Sequence, residues 1–207
     1  KPEEFAQVKV LAMYACGTSN IMSRKPVRNL NDLKGMSLRA SGGAGDILKA
    51  WGANLVGMPM PATVEALQKG VVQGLFSSLE VLKDFKFAEH CKYVTITDTV
   101  VYPFSVVMNM DSWKKLPKDV QKVMDDMARE QSEWTGSYMD KHTDEAIDWS
   151  KKTQGVEFIA LSAEEKAKWD ALLEPLTANW ISEVKAKGIP GEAIVADMKA
   201  LTKKYSN

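Results

Sequence analysis

The chain has 207 residues, 45% of them apolar, enough to bury the core of one large domain or two small ones. Its 27 basic and 27 acidic residues cancel to a net charge of zero, so no long-range field draws it to nucleic acid or to an anionic membrane. No apolar run approaches the roughly 18 residues that span a bilayer.

From Val8 to about Met110, short strand-like runs alternate with short helices. Strands are expected over residues 8–14, 37–40, 54–58, 74–77, 93–99 and 101–110, with helices over 46–51 and 63–69 between them. Alternation of this kind predicts an α/β fold whose sheet is partly parallel. After Met110 the pattern turns helical. Pro117 suits a first helical position, and Val120, Val123, Met124, Met127, Gln131, Trp134 and Tyr138 recur at steps of three and four. Continued through Trp149 to about residue 152, this segment is a helix about 50 Å long at 1.5 Å per residue, wider than one lobe. It must project as a coiled coil or lie across two lobes. Residues 155–161 read as one more strand. Ser162 and Glu165 then form a capping box for a helix whose apolar face is Trp169, Leu172, Leu173, Leu176, Trp180 and Val184. Pro175 should kink that helix, Gly188 should stop it, and a last helix should reach about Tyr205.

Catalytic chemistry has few handholds. His90 and His142 are the only histidines, with neither HExxH nor CxxC spacing around them, so no metal site is expected. No G-x-S-x-G elbow is present, which leaves only a triad dispersed along the chain as an enzymatic reading. Cys16 and Cys91 are expected as two buried, unpaired thiols. The glycines at 42, 43 and 45 lack a following Gly-Lys-Ser/Thr and lack G-x-G-x-x-G spacing, so they read as a turn that starts a helix after a strand.

Arg39 is the sharper signal. It closes the strand at 37–40 and lies near the strand's carboxyl end, where open α/β sheets bind ligands. A guanidinium stays charged when buried, and its planar fork matches a carboxylate with two parallel hydrogen bonds. On spacing alone, a salt bridge to an internal Asp or Glu explains it as well.

Three blocks in one order add a resemblance. They are DLKGMSLRAS (32–41), WGANLVGMPM (51–60) and EALQKGVVQG (65–74), followed by Val106-Val107-Met108-Asn109 and the Trp113 to Pro117 turn. Together they resemble the DctP-type solute-binding proteins of TRAP (tripartite ATP-independent periplasmic) transporters. The resemblance implies a two-lobed, periplasmic-binding-protein-like α/β fold with one long helix spanning the lobes. It also implies that this chain is the carboxyl-terminal two thirds of such a protein, with part of lobe one absent. The start KPEEFAQVKVLAMYA has no initiator Met and no signal-peptide layout, which fits a processed form or a fragment. The expected organisation is a strand and crossing segment from lobe one at 1–14, ligand-binding lobe two at 15–100, a return to lobe one plus the long helix at 101–161, and carboxyl-terminal helices at 162–207.

In that family an arginine grips the ligand's carboxylate, and Arg39 matches it. The assisting asparagine falls on Ser77, the family's aspartate on Gln73, and a second arginine of some members on Ser19. A serine offers one donor where an amide offers two. These departures disfavour a dicarboxylate or a sialic acid and favour a single anion on a less polar body. Met60, Phe76 and Tyr102 are candidate walls, and Trp51 is expected in the core. The Cys16 to Ser19 turn should end the first strand. The implied function is a periplasmic, non-enzymatic receptor without cofactor that passes a small organic carboxylate or sulfonate to TRAP permease subunits. A sensor module of the same fold is the alternative, and a dimer or swapped assembly is open to the shortened form.

Overall fold

The computed structural model describes residues 3–205, so positions 1, 2, 206 and 207 of the expected end segments lie outside the described residues. In chain order the elements are β1 (Val8–Ala15), β2 (Asn20–Ser23), α1 (Leu30–Leu33), β3 (Ser37–Ala40), α2 (Ala44–Ala50), β4 (Asn54–Gly57), α3 (Thr63–Gln68), β5 (Gly74–Ser77) and α4 (Val81–Asp84). They continue with β6 (Tyr93–Ile96), β7 (Pro103–Asn109), α5 (Met110–Lys115), α6 (Lys118–Gln154), β8 (Glu157–Ala160), α7 (Ala163–Ala171), α8 (Glu174–Lys185) and α9 (Gly191–Tyr205). The result is the expected α/β fold, divided between two sheets.

Strands β1 and β7 form an antiparallel pair of their own. The other six make one sheet in the order β4-β3-β5-β2-β6-β8. Within it β3 runs parallel to β4 and β5, and β6 parallel to β8, while β2 is antiparallel to both neighbours. The carboxyl ends of β4, β3, β5, β6 and β8 therefore share one edge, where the start of β2 joins them.

Each face of the six-stranded sheet carries its own core. One side packs Met22, Leu75 and Val94 under α3, α4 and α6 through Leu67, Leu82 and Ile147. The other packs Ile21, Leu38 and Phe76 against α2 and α7 through Leu48 and Trp169. Trp51 is 3% exposed as expected. Its indole N–H donates to the Trp169 carbonyl at 3.1 Å, and the two rings lie 4.7 Å apart.

Helix α6 runs for 37 residues, about 55 Å. Its first half serves the small sheet: Asp125 pairs with Lys9, and Ser132 Oγ accepts the Met13 N–H at 3.1 Å. Its second half serves the large one: a His142 ring nitrogen lies 2.7 Å from Asp84 Oδ1 beside α4. Gly155, at φ +64°, ends the helix in the left-handed conformation.

Four expectations need correction. Residues 20–23 form a strand, and residues 16–19 are a crossing between the sheets instead of a turn. All four residues of β2 are buried, so its sequence shows none of the polar and apolar alternation that marks a half-exposed strand. The strand at 93–99 stops at Ile96, because residues 97–102 cross back to the small sheet. Pro117 caps α6 from outside instead of occupying its first turn. Pro175 does more than kink: the helix ends at Ala171 and a new one starts at Glu174 with Pro175 in its first turn, where a missing N–H costs nothing.

Gly74 opens β5 with its Cα pressed on β2. A Cβ there would lie 2.2 Å from the Met22 carbonyl oxygen and 2.9 Å from Ser23 Cα. Both are backbone atoms and cannot rotate away. Gly74→Ala should therefore cost about 3 kcal/mol or more in urea unfolding, at the upper end of overpacking penalties; a loss below about 1 kcal/mol would mean that β2 and β5 can separate freely.

Candidate functional site

Arg39 is the third of four residues in β3, flanked by β4 and β5. Side chains alternate along a strand, and Arg39 pairs with Leu75, so its side chain leaves the sheet on the face of Leu75 and Ser77. Arg39 is 4% exposed. Its Nε donates to the Met58 carbonyl at 3.0 Å, a contact made after β4 ends and the chain turns at Pro59. No carboxylate among the described residues answers the charge, and burial holds the guanidinium below its ordinary pKa, countered only by the nearby Tyr102 hydroxyl. A buried cation bonded at one edge to a neutral carbonyl keeps the two terminal nitrogens for another acceptor. The internal salt bridge that spacing left open is not formed.

Tyr102 stands beside this group on the 97–102 crossing. It is half-buried, its hydroxyl donates to the Ser41 carbonyl at 3.2 Å, and burial raises its pKa. Ser77, 4% exposed, ends β5 on the Arg39 face. Met60 is half-buried in the turn after Pro59 and packs on the same side as Val56 and Met58. The structure thus places Arg39, Ser77 and Met60 on one face at the carboxyl edge of the sheet, while Tyr102 packs against the cluster on the other face and approaches Arg39 at that edge.

Two further expectations change. Phe76 is fully buried on the opposite face, edge-on to Trp51 at 5.5 Å, and belongs to the core instead of a ligand wall. The period of two between neighbours in a strand dictates this, since Ser77 faces the other way. Ser19 is also fully buried; its N–H donates to the Val100 carbonyl at 2.7 Å, and its Oγ has no partner among the described residues. It lies at the same edge, one residue before β2, but presents no open hydroxyl. Gln73, in the place of the family's aspartate, spends its side chain on the sheet: Oε1 accepts the Ser37 N–H at 2.9 Å.

Sequence reasoning missed two groups here. The Met58 carbonyl that orients Arg39 is a backbone acceptor, which no side-chain pattern reveals. Glu80, 5% exposed, accepts from Ser78 Oγ and lies against the Cys16 thiol, again through a loop contact. Both cysteines are free; Cys91 is buried as expected, whereas Cys16 is only half-buried. Burial, then the Glu80 carboxylate, pushes the Cys16 thiol up to about 12.

Residues 1–183 match the family model described as bacterial extracellular solute-binding protein, family 7. The C4-dicarboxylate-binding protein DctB of Bacillus subtilis is 27% identical over 173 residues, which cover 82% of this chain and 49% of that protein. The chain thus spans about half the length of this curated relative. Among solved structures, a TRAP periplasmic solute-binding protein of Desulfovibrio salexigens is 51% identical with a TM-score of 0.83, covering 99% of this chain and 64% of that one. It is described as an open complex with the C-terminus of a symmetry mate bound in its ligand-binding site. A TRAP solute-binding protein of Rhodoferax ferrireducens, in complex with copurified benzoate, is 25% identical with a TM-score of 0.91, covering 99% and 66%.

An unanswered buried cation burdens the fold. Arg39→Met should stabilise the protein without added ligand by about 1 to 2 kcal/mol in urea titration, because relief of desolvation exceeds the lost bond to Met58; a lower midpoint would show that the charge is compensated. With a thiol near 12, Cys16 holds on the order of one part in 10⁴ as thiolate at pH 8. Iodoacetamide at that pH should label Cys16 at least about 100-fold more slowly in the folded protein than in urea, with the rate climbing as pH rises; equal rates would contradict its burial beside Glu80.

Proposed function

The chain belongs to the bacterial extracellular solute-binding proteins of family 7, and on that premise we propose that it is the ligand-gripping part of a TRAP receptor for a small organic monoanion. The observation that carries this reading is Arg39: buried, fixed at Nε by the Met58 carbonyl, and without a carboxylate partner among the described residues. A ligand carboxylate or sulfonate would take the two terminal nitrogens as a charge-assisted pair. Ser77 would add one bond, and Met60 with Tyr102 would line the body of the ligand. The chemistry asked of these groups is recognition, and the receptor performs no turnover.

The six-stranded sheet is lobe two in this reading, the β1–β7 pair belongs to lobe one, and α6 lies along both. The cleft opens at the edge where Arg39 sits. A ligand held between the lobes stabilises their closed arrangement, which a membrane permease then receives in the periplasm. Phe104 and Val106 on one face of the small sheet, and Met13 and Val107 on the other, are 43–52% exposed. These apolar faces support packing of the remainder of lobe one on the small sheet in a receptor of the relatives' length, and in the 207-residue form they are open to a second copy.

The choice of anion follows from what surrounds Arg39. With Ser19 closed off and Gln73 engaged by Ser37, the grip on an anion rests among the described residues on the Arg39 cation, with Ser77 beside it. No second cation is placed beside Arg39 among the described residues to answer a second carboxylate, although the B. subtilis relative is named for C4-dicarboxylates. The benzoate of the R. ferrireducens protein is a single carboxylate on a less polar body, which supports the monoanion.

In the full-length protein, benzoate should raise the melting temperature more than succinate does at equal concentration, because a ligand that binds only the folded state stabilises it by mass action. Arg39→Ala should abolish the benzoate shift, losing roughly 2 to 5 kcal/mol of binding, as expected when one partner of a desolvated charge pair is removed. An undiminished shift in the variant would overturn the anion grip. A larger shift with succinate would overturn the monoanion.

A further inference from the structure

If two lobes close on a ligand, the motion must be absorbed where the chain passes between them. Two such passages are residues 16–19, between β1 and β2, and residues 97–102, between β6 and β7. They are bonded side by side. Cys16 N–H donates to the Tyr102 carbonyl at 3.2 Å, Ser19 N–H to the Val100 carbonyl at 2.7 Å, and Thr97 Oγ1 to the Ser19 carbonyl at 3.0 Å.

Asp98, in the second passage, has a φ of +44°. The left-handed region costs most residues with a Cβ about 1 kcal/mol or more; Asp tolerates it when its polar groups are bonded locally, and at Asp98 they are. Among the described residues only one other non-glycine, Lys86, shares a positive φ, and it is an exposed residue outside both passages. At Asp98 the holding group is Asn20, fully buried at the start of β2. Its Oδ1 accepts the N–H of Thr97 at 2.7 Å and that of Asp98 at 3.0 Å. Its Nδ2 donates to the Thr18 carbonyl at 3.0 Å and to Asp98 Oδ1 at 3.4 Å. Asp98 Oδ1 in turn accepts from Thr18 Oγ1 at 2.6 Å, gripping the first passage. Four residues further on, Tyr102 bonds the Ser41 carbonyl next to Arg39.

We propose that Asp98 is the positioning residue of the hinge: its left-handed backbone and its carboxylate bond to Thr18 hold the two passages in one arrangement, and the segment 98–102 carries that arrangement to Tyr102 and the Arg39 site. The existence of lobe closure rests on the receptor reading above; the clamp itself does not. Asp98 touches no ligand and acts through Tyr102. Loosening it should widen the range of lobe positions and shorten the time a ligand stays.

The test uses the full-length protein with spin labels at Lys49 on α2 and Lys114 on α5, both exposed and on opposite sides of the passages. Asp98→Gly accepts a positive φ and removes the carboxylate, while Thr18→Val keeps the side-chain shape and removes only the hydroxyl. Without ligand, both variants should give a broader distance distribution than the wild type, with melting temperatures close to it. Benzoate should dissociate about three to ten times faster from each, as a lost clamp bond lowers the barrier to opening. Distributions as narrow as the wild type in both variants would overturn the proposal. If the wild type does not bind benzoate, the receptor reading loses its ligand class, and the distance distributions still decide the hinge.

Discussion

A guanidinium with one edge bonded and the other unanswered governs the arrangement around it. Arg39 is nearly covered, yet it meets only the Met58 carbonyl and the neighbourhood of a tyrosine hydroxyl. Taking a cation out of water without a counter-charge costs several kcal/mol, so the surrounding structure must be rigid enough to bear it. The bearing comes from position. β3 lies inside the sheet, β4 and β5 flank it in parallel, and apolar clusters press on both faces. The loop after β4 then delivers a single carbonyl that sets the direction of the fork.

The same edge collects groups from distant stretches of chain. Ser77 arrives on β5, Met60 on the turn before α3, and Tyr102 on a passage between the sheets. None of these needs the others for its local conformation. What joins them is topology: five strands point the same way, so their exits meet along one line. The reversed strand β2 brings its own start to that line as well, so the passage before it lies beside the one that carries Tyr102 to the arginine.

How much of this was legible depended on whether a feature leaves a periodic or local trace. Strands β3 and β5 are bounded by glycines and turns, and the limits this predicts, 37–40 and 74–77, coincide with the observed ones. β2 is buried on both faces and carries no alternation, so it passed unnoticed. Residues 97–99 and 101–102 carry β-branched and aromatic side chains that suit a strand, but no neighbouring strand is there to pair with them. Phe76 was drawn to the site by its place next to Ser77, although adjacency in a strand means opposite faces. Arg39 could be singled out because a charge at a strand's end is conspicuous; the carbonyl that aims it could not, since every residue but proline offers the same backbone groups.

Helix α6 has a mechanical consequence. It is one unbroken rod, fastened to the small sheet at Lys9 and Met13 and to the large one at Asp84. A rod of this kind bends more readily than it stretches, because stretching would lengthen every hydrogen bond in its ladder at once. The two sheets therefore cannot slide apart along its axis. They are left with flexing and swivelling, much as two leaves riveted to one spring keep their spacing while their outer margins sweep together.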